Sequence, residues 1–326
     1  MSPHVHRAPS ADDACPPPAV RPIRFLRRGA GVVLLVAALA ASTGCGLRLG
    51  EGSAASLPTA SQAEATRDSL ARRTTLILST AQVVAQSPDA GAVATAQTVA
   101  ADAQVQLDAL GGVWQPWATT VPTTYPTASP VETADPGATT ETLVTELTEG
   151  VAQARQAALG AQDTAAAQLY ASLFVSWSVS LYTLNSGAVT PAPREATAVS
   201  EPLPGEVLVA YDAARYAMEE VAARSEGSQR DHAVTDAGYA GGLVNASVAA
   251  GSQDVCPAAY APPTEAADAA TSLDVTWARE AWSEVMAAEV IGVGSASGAA
   301  REAGLDAALD AALRAQAWGA AIPALP

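Results

Sequence analysis

Apolar residues recur three or four positions apart through most of the chain beyond residue 61, and glycine, proline and polar breaks divide them into eight stretches. The first opens on Ser61-Gln62-Ala63-Glu64, a capping box, followed at helical spacing by Leu70, Thr74, Ile77, Leu78, Ala81 and Val84. Pro88-Asp89 restarts the pattern, and Val93, Ala96, Val99, Ala103, Leu107 and Leu110 carry it to a Gly111-Gly112 stop. A third helix is expected over Glu141–Leu159, ending at Gly160. The fourth, Asp163–Leu184, is the most apolar, with Leu169, Tyr170, Leu173, Phe174, Trp177 and Leu181.

The second half repeats the count. Helices are expected at Glu206–Ser225, Ser228–Ala250, Thr264–Val293 and Ser297–Trp318. Long proline-rich loops, Gly111–Ala138 and Gly251–Pro263, fall in matching places. No stretch sustains the two-residue period of a strand. The pattern predicts an all-α protein of one or two antiparallel helical bundles. Its parts are a helical region over 61–187, a Pro/Thr/Ala/Glu-rich linker over 188–205 and a four-helix bundle over 206–326. The two halves pack either as one longer body or as a homodimer through the aromatic helix Leu169–Leu184.

Composition agrees: alanine is abundant, aromatics are 5% of residues and lysine is absent. Alanine-rich chains favour closely packed helices, whereas strands draw on β-branched and aromatic residues.

The stretch upstream of residue 45 has a different pattern. Arg21, Arg24, Arg27 and Arg28 precede an apolar run from about Gly29 to Ala41. That run is short for a span of about 20 residues and has the length of a signal-peptide core. Ser42, Thr43 and Gly44 then lead to Cys45, which resembles the bacterial lipobox, although Ser42 stands where a leucine-like residue is usual. In that reading residues 1–44 are a signal peptide with a long n-region. Cys45 is then the lipidated first residue of the mature protein, and 45–60 a flexible tether. The alternatives are an ordinary signal peptide cut near Ala41 or an uncleaved anchor. The expected location is the extracytoplasmic face of the cell membrane.

Charge narrows the partners. Beyond Cys45 twelve arginines face thirty-one acidic residues. So acidic a body repels nucleic acid, which is excluded as a partner.

The second half resembles a ferritin-like domain family of unknown function found in actinobacterial lipoproteins. The resemblance rests on "YDAARYAMEEVAARS" at Tyr211–Ser225, His232 with Asp236, "CPAAYAPP" at Cys256–Pro263, and the closing "LRAQAWGAAIPALP". It implies a four-helix bundle over about 206–326. A di-iron bundle needs Glu from two helices and a Glu-x-x-His from each of the other two. Here Tyr211-Asp212 stands where the family tends to carry Glu-His. His232 is the single histidine outside the leader, and Gln229 precedes it by three. No working di-iron site is expected, and no cofactor.

Weaker candidates remain. His232 and Asp236, four apart on one helix face, could form a single metal site or merely sit near a helix start. Asp231, Asp212, Glu219 and Glu220 lie close in sequence. Glu280, Glu284 and Glu289 with Arg279 read as a solvated face. Trp277, Trp282 and Trp318 read as core, with a ligand pocket as the rival. Gly238, Gly241 and Gly242 suggest close helix packing. Cys256 reads as an inert thiol. No catalytic residues are assigned. The expected protein is a lipid-anchored helical protein with a binding or structural role at the envelope, toward an unknown partner or small ligand. The alternative is a metal-binding oxidase or metal store with an atypical carboxylate site.

Overall fold

A computed structural model describes residues 59–116, 128–253 and 255–326. The leader, Cys45 and most of the tether lie outside the described residues. The described residues form eight helices and no strand. They are α1 (Gln62–Val84), α2 (Ala90–Ala109), α3 (Thr140–Gly160), α4 (Thr164–Leu184), α5 (Gly205–Arg224), α6 (Gly227–Ala249), α7 (Leu273–Ser295) and α8 (Gly298–Ala317). The expected all-α bundle architecture is therefore present.

Local chemistry sets the boundaries. Ser61 caps α1 by accepting from the Glu64 N–H at 3.1 Å, but the Glu64 carboxylate turns to Arg67, so only half of the expected box forms. The complete box is at α3, where Thr139 and Thr142 cap each other. Helix α7 begins nine residues later than expected. Asp268 holds the Ala270 N–H (2.8 Å) and the Thr271 hydroxyl (2.7 Å) in a turn, and Ser272 then caps α7 through the Val275 N–H. Short polar side chains that bond their own backbone compete with helix in this way.

Each half has the same topology. Helix α1 packs on α2 and α3, and α3 on α4; likewise α5 packs on α6 and α7, and α7 on α8. Arg73 of α1 bonds Glu146 and Glu149 of α3, while Ser69 meets Gln153, so these helices run antiparallel. The connection from α2 to α3 must then traverse the bundle. It leaves beside Arg67, whose guanidinium donates to the Gly112 carbonyl at 2.6 Å. Ser129 and Pro130 reach Arg72, Ala134 reaches Ser79, and Thr140 reaches Asp89 beyond the far end of α1. In the second half Leu203 beside Ser247, Tyr260 on Asp212 and Asp274 on Arg224 mark a matching path along α5. Within the second half the two short hairpins match each other: Gly227 and Gly298 open α6 and α8 with φ of 59° and 54°, a conformation that favours glycine, whereas Asp89 and Asp163 cap α2 and α4 in the first half.

The halves meet through α3, α4, α7 and α8. Arg301, at the start of α8, donates to the carbonyls of Ala158, Leu159 and Ala161 at the end of α3. The corresponding contact joins the end of α7 to the start of α4, where Gln168 donates to the Ile291 carbonyl at 3.1 Å. Exchanging the halves maps one contact onto the other, as in a two-fold dimer interface. Gly294 permits this approach, because a Cβ there would stand 2.8 Å from Gln168 and Thr164. Residues 170–179 of α4 are all buried, and one apolar core draws on both halves. Most of the aromatic helix is thus buried inside the chain.

Candidate functional site

The interior of the second half is polar in a way its sequence pattern conceals. Asp236 on α6 is 1% exposed and accepts three hydrogen bonds. Arg314 of α8 donates to Oδ1 at 2.6 Å, while the indole N–H groups of Trp282 and Trp318 reach Oδ2 at 3.0 and 2.9 Å. Arg314 also bonds Asp310 one turn earlier and lies 3.9 Å from the centre of the Tyr239 ring. Buried carboxylates require such pairing, because leaving either partner alone costs several kcal/mol.

A second buried carboxylate lies on α7. Glu289, 1% exposed, receives Arg194 in a two-pronged arrangement, Nε to Oε1 and Nη2 to Oε2, both at 2.7 Å. The Tyr211 hydroxyl adds a third bond at 3.1 Å. Burial and the neighbouring Glu289 charge push the Tyr211 phenol well above its ordinary pKa. Burial opposes the Arg194 charge, but the bond and field of Glu289 outweigh it and hold the guanidinium pKa above its usual value. Tyr239 packs edge-on to Tyr211, with ring centres 6.3 Å apart. Its hydroxyl is buried beside the Tyr211 hydroxyl and the Asp310 carboxylate without a well-formed hydrogen bond to either, and burial raises its pKa as well.

The sequence candidates distribute unevenly over this interior. His232 reaches Asp236 at 3.5 Å but stays partly exposed, its ring stacked on Trp318 at 4.4 Å. Asp236 is a hub for Arg314 and two indoles, with His232 at its edge. Glu289 leaves the solvated face on which it was expected, whereas Glu280 and Glu284 remain exposed. Arg279 turns to the Trp318 carbonyl. Trp282 is fully buried, and Trp277 packs between Tyr216 and Arg224. Asp212 is buried, bonding Arg215 and Tyr260; Glu219 and Glu220 pair with arginines on their own helix, and Asp231 is exposed. Of Gly238, Gly241 and Gly242 only Gly241 is crowded, by Arg215; Gly238 has open space. Cys256 is partly buried against the core.

Sequence reasoning missed Arg194, Arg314 and, in the first half, Gln106. Gln106 is fully buried, accepts from the Trp177 indole at 2.7 Å, and donates to Ser176 and to the Ala324 carbonyl. Its signal was a glutamine on an otherwise apolar helix face. Arg194 had a fainter one, as the lone arginine of the linker.

The donors do not suit a pair of metal ions. The four helices turn Tyr211, Tyr239, Glu289 and Asp310 inward, and both oxygens of Glu289 are engaged by a guanidinium. Among the described residues no three His, Cys, Asp or Glu side chains group closely enough to hold a metal. An open groove of about 890 Å³ lies elsewhere, at the end of the first half, lined by Ser87, Asp89, Thr139 and Glu141 among others. Asp89 is already committed there, to the Gly91 N–H and the Thr140 hydroxyl. No described helix is long and apolar enough to cross a membrane. Comparison with family models, curated proteins and solved structures finds no match to this chain.

Proposed function

We propose that the chain is a lipid-anchored protein of the outer face of the cell membrane, with a ferritin-like helical body that binds or scaffolds and carries no di-iron centre. One observation carries the last point. The bundle interior, where a di-metal protein concentrates its carboxylates, holds carboxylates already neutralised by guanidinium groups, Arg194 on Glu289 and Arg314 on Asp236 and Asp310. The charge that metals would supply is supplied by the chain. The single long crossover in each half supports the ferritin-like reading, since such bundles connect their helix pairs in this way.

The anchor rests on the Arg-rich n-region, the short apolar run and Cys45. Several acyl chains hold a protein on a bilayer where one does not, at about 0.8 kcal/mol per buried methylene. The test is fractionation of cells making the full chain or its Cys45→Ala variant, with metal analysis of the purified protein. Membrane retention lost in the variant, with no bound iron, manganese or zinc, is expected. Retention of the variant contradicts the anchor. Stoichiometric metal lost on His232→Ala or Glu289→Gln favours the metal-store alternative.

A further inference from the structure

We propose that Glu289 and Tyr211 form a guanidinium-recognition site which the chain fills with its own Arg194, and that the segment carrying Arg194 is a strap displaced by a guanidinium-bearing ligand. This deepens the binding role and rests on the reading that Glu289 is not a metal ligand.

The geometry selects the ligand class. Two parallel bonds of 2.7 Å from one planar group to both oxygens of a carboxylate form a fork that guanidinium matches and ammonium does not. The Tyr211 hydroxyl, donating to Oε1 at 3.1 Å, orients the carboxylate from α5. Gly304 of α8 adjoins the pair: a Cβ there would touch Arg194 Nη2 and Glu289 Oε2 at an ordinary 3.8 Å and crowd Val293 at 3.2 Å. The receiving groups sit on two long helices, α5 and α7, so the site persists when its occupant leaves.

The occupant is held differently. From Ser186 to Pro202 the connecting segment has no buried residue, and Leu203 is the first side chain to return to the core. Its regular structure is two single turns, Ser186–Ala188 and Ala196–Ala198. Val189, Ala196 and Val199 pack only partly against the core, and Arg194, whose side chain is 16% exposed, makes the segment's side-chain hydrogen bonds to the helices. Segments with few buried contacts open at low free-energy cost. A tethered side chain competes at an effective concentration of about millimolar, which sets the level an outside ligand must exceed. The acidic exterior favours approach of cations.

The test uses the purified full chain, its Arg194→Ala variant and the double variant Arg194→Ala/Glu289→Gln. Losing the partner of a buried carboxylate lowers the Tm of Arg194→Ala by roughly 6–15 °C. Methylguanidinium at about 10 mM is expected to restore at least half of that shift, methylammonium much less, and neither to act on the double variant. Equal action of both cations, or equal recovery in the double variant, overturns the proposal. Hydrogen exchange on the wild type covers the case in which Arg194→Ala does not fold. An arginine-containing tripeptide or free L-arginine should speed exchange across residues 187–202, and no change with either overturns the strap. Greater potency of the tripeptide assigns the ligand to a polypeptide; equal potency assigns it to a small molecule. Metal uptake by Arg194→Ala would instead overturn the non-metal reading beneath the proposal.

Discussion

The Gln106 side chain holds the backbone carbonyl of Ala324 at 2.9 Å, joining positions 218 residues apart. The same amide accepts from Trp177 and donates to Ser176, so a residue of the first half pins the end of the second. Gln106→Leu keeps the volume and removes every bond. A buried indole N–H is left unpaired, and a loss of about 2–4 kcal/mol is expected. Amide exchange over residues 322–326 should accelerate. Unchanged thermal stability and unchanged exchange would show that other contacts hold the tail, among them the Ser172 hydroxyl on the Pro326 carbonyl at 2.8 Å.

Asp236 organises the other half. Asp236→Ala leaves two buried indole N–H groups unpaired and Arg314 with Asp310 as its one remaining carboxylate, and a destabilisation of about 3–5 kcal/mol is expected in denaturant unfolding. His232→Ala should cost less than about 1 kcal/mol, because its contact with Asp236 is long and partly exposed. Comparable losses from both variants would contradict the hub.

Tyr239 carries a buried hydroxyl that makes no well-formed hydrogen bond, although Tyr211 and Asp310 lie beside it. Tyr239→Phe removes that group and keeps the ring under Arg314, so stability should hold or rise by up to about 1 kcal/mol. A clear loss would reveal a bond the hydroxyl makes in solution.

The buried phenols predict alkaline behaviour. Tyr211, Tyr239 and Tyr260 all have folded pKa values above the ordinary 10.0, with burial the leading cause. A raised folded pKa means that the native state keeps protons the unfolded chain releases. Their contribution is therefore full below about pH 10 and declines as pH rises through the folded values. Absorbance titration should show these three ionising only with unfolding. Reversible ionisation of all seven tyrosines near pH 10 in the folded protein would contradict their burial.

Eight helices were legible because apolar spacing, Ser61 and Asp163 caps and glycine stops act locally. The start of α7 was not, since Asp268 and Ser272 decide it through bonds that hydropathy does not register. The polar interior escaped for a related reason. Glu289 and Asp236 look like any acids on alanine-rich helices, and their partners Arg194 and Arg314 lie 95 and 78 residues away in sequence. The near-symmetric junction of the halves was equally invisible, because Gly294 and Arg301 act across a contact that only the folded chain creates.

Native mass spectrometry of the membrane-extracted full-length gene product tests the central claim most directly, since one spectrum reports both the anchor and any bound ion. The expected species begins at Cys45, carries a diacylglycerol and an amide-linked acyl chain, and holds no metal. An unmodified chain would contradict the anchor, and a species retaining two metal ions would contradict the guanidinium-filled interior.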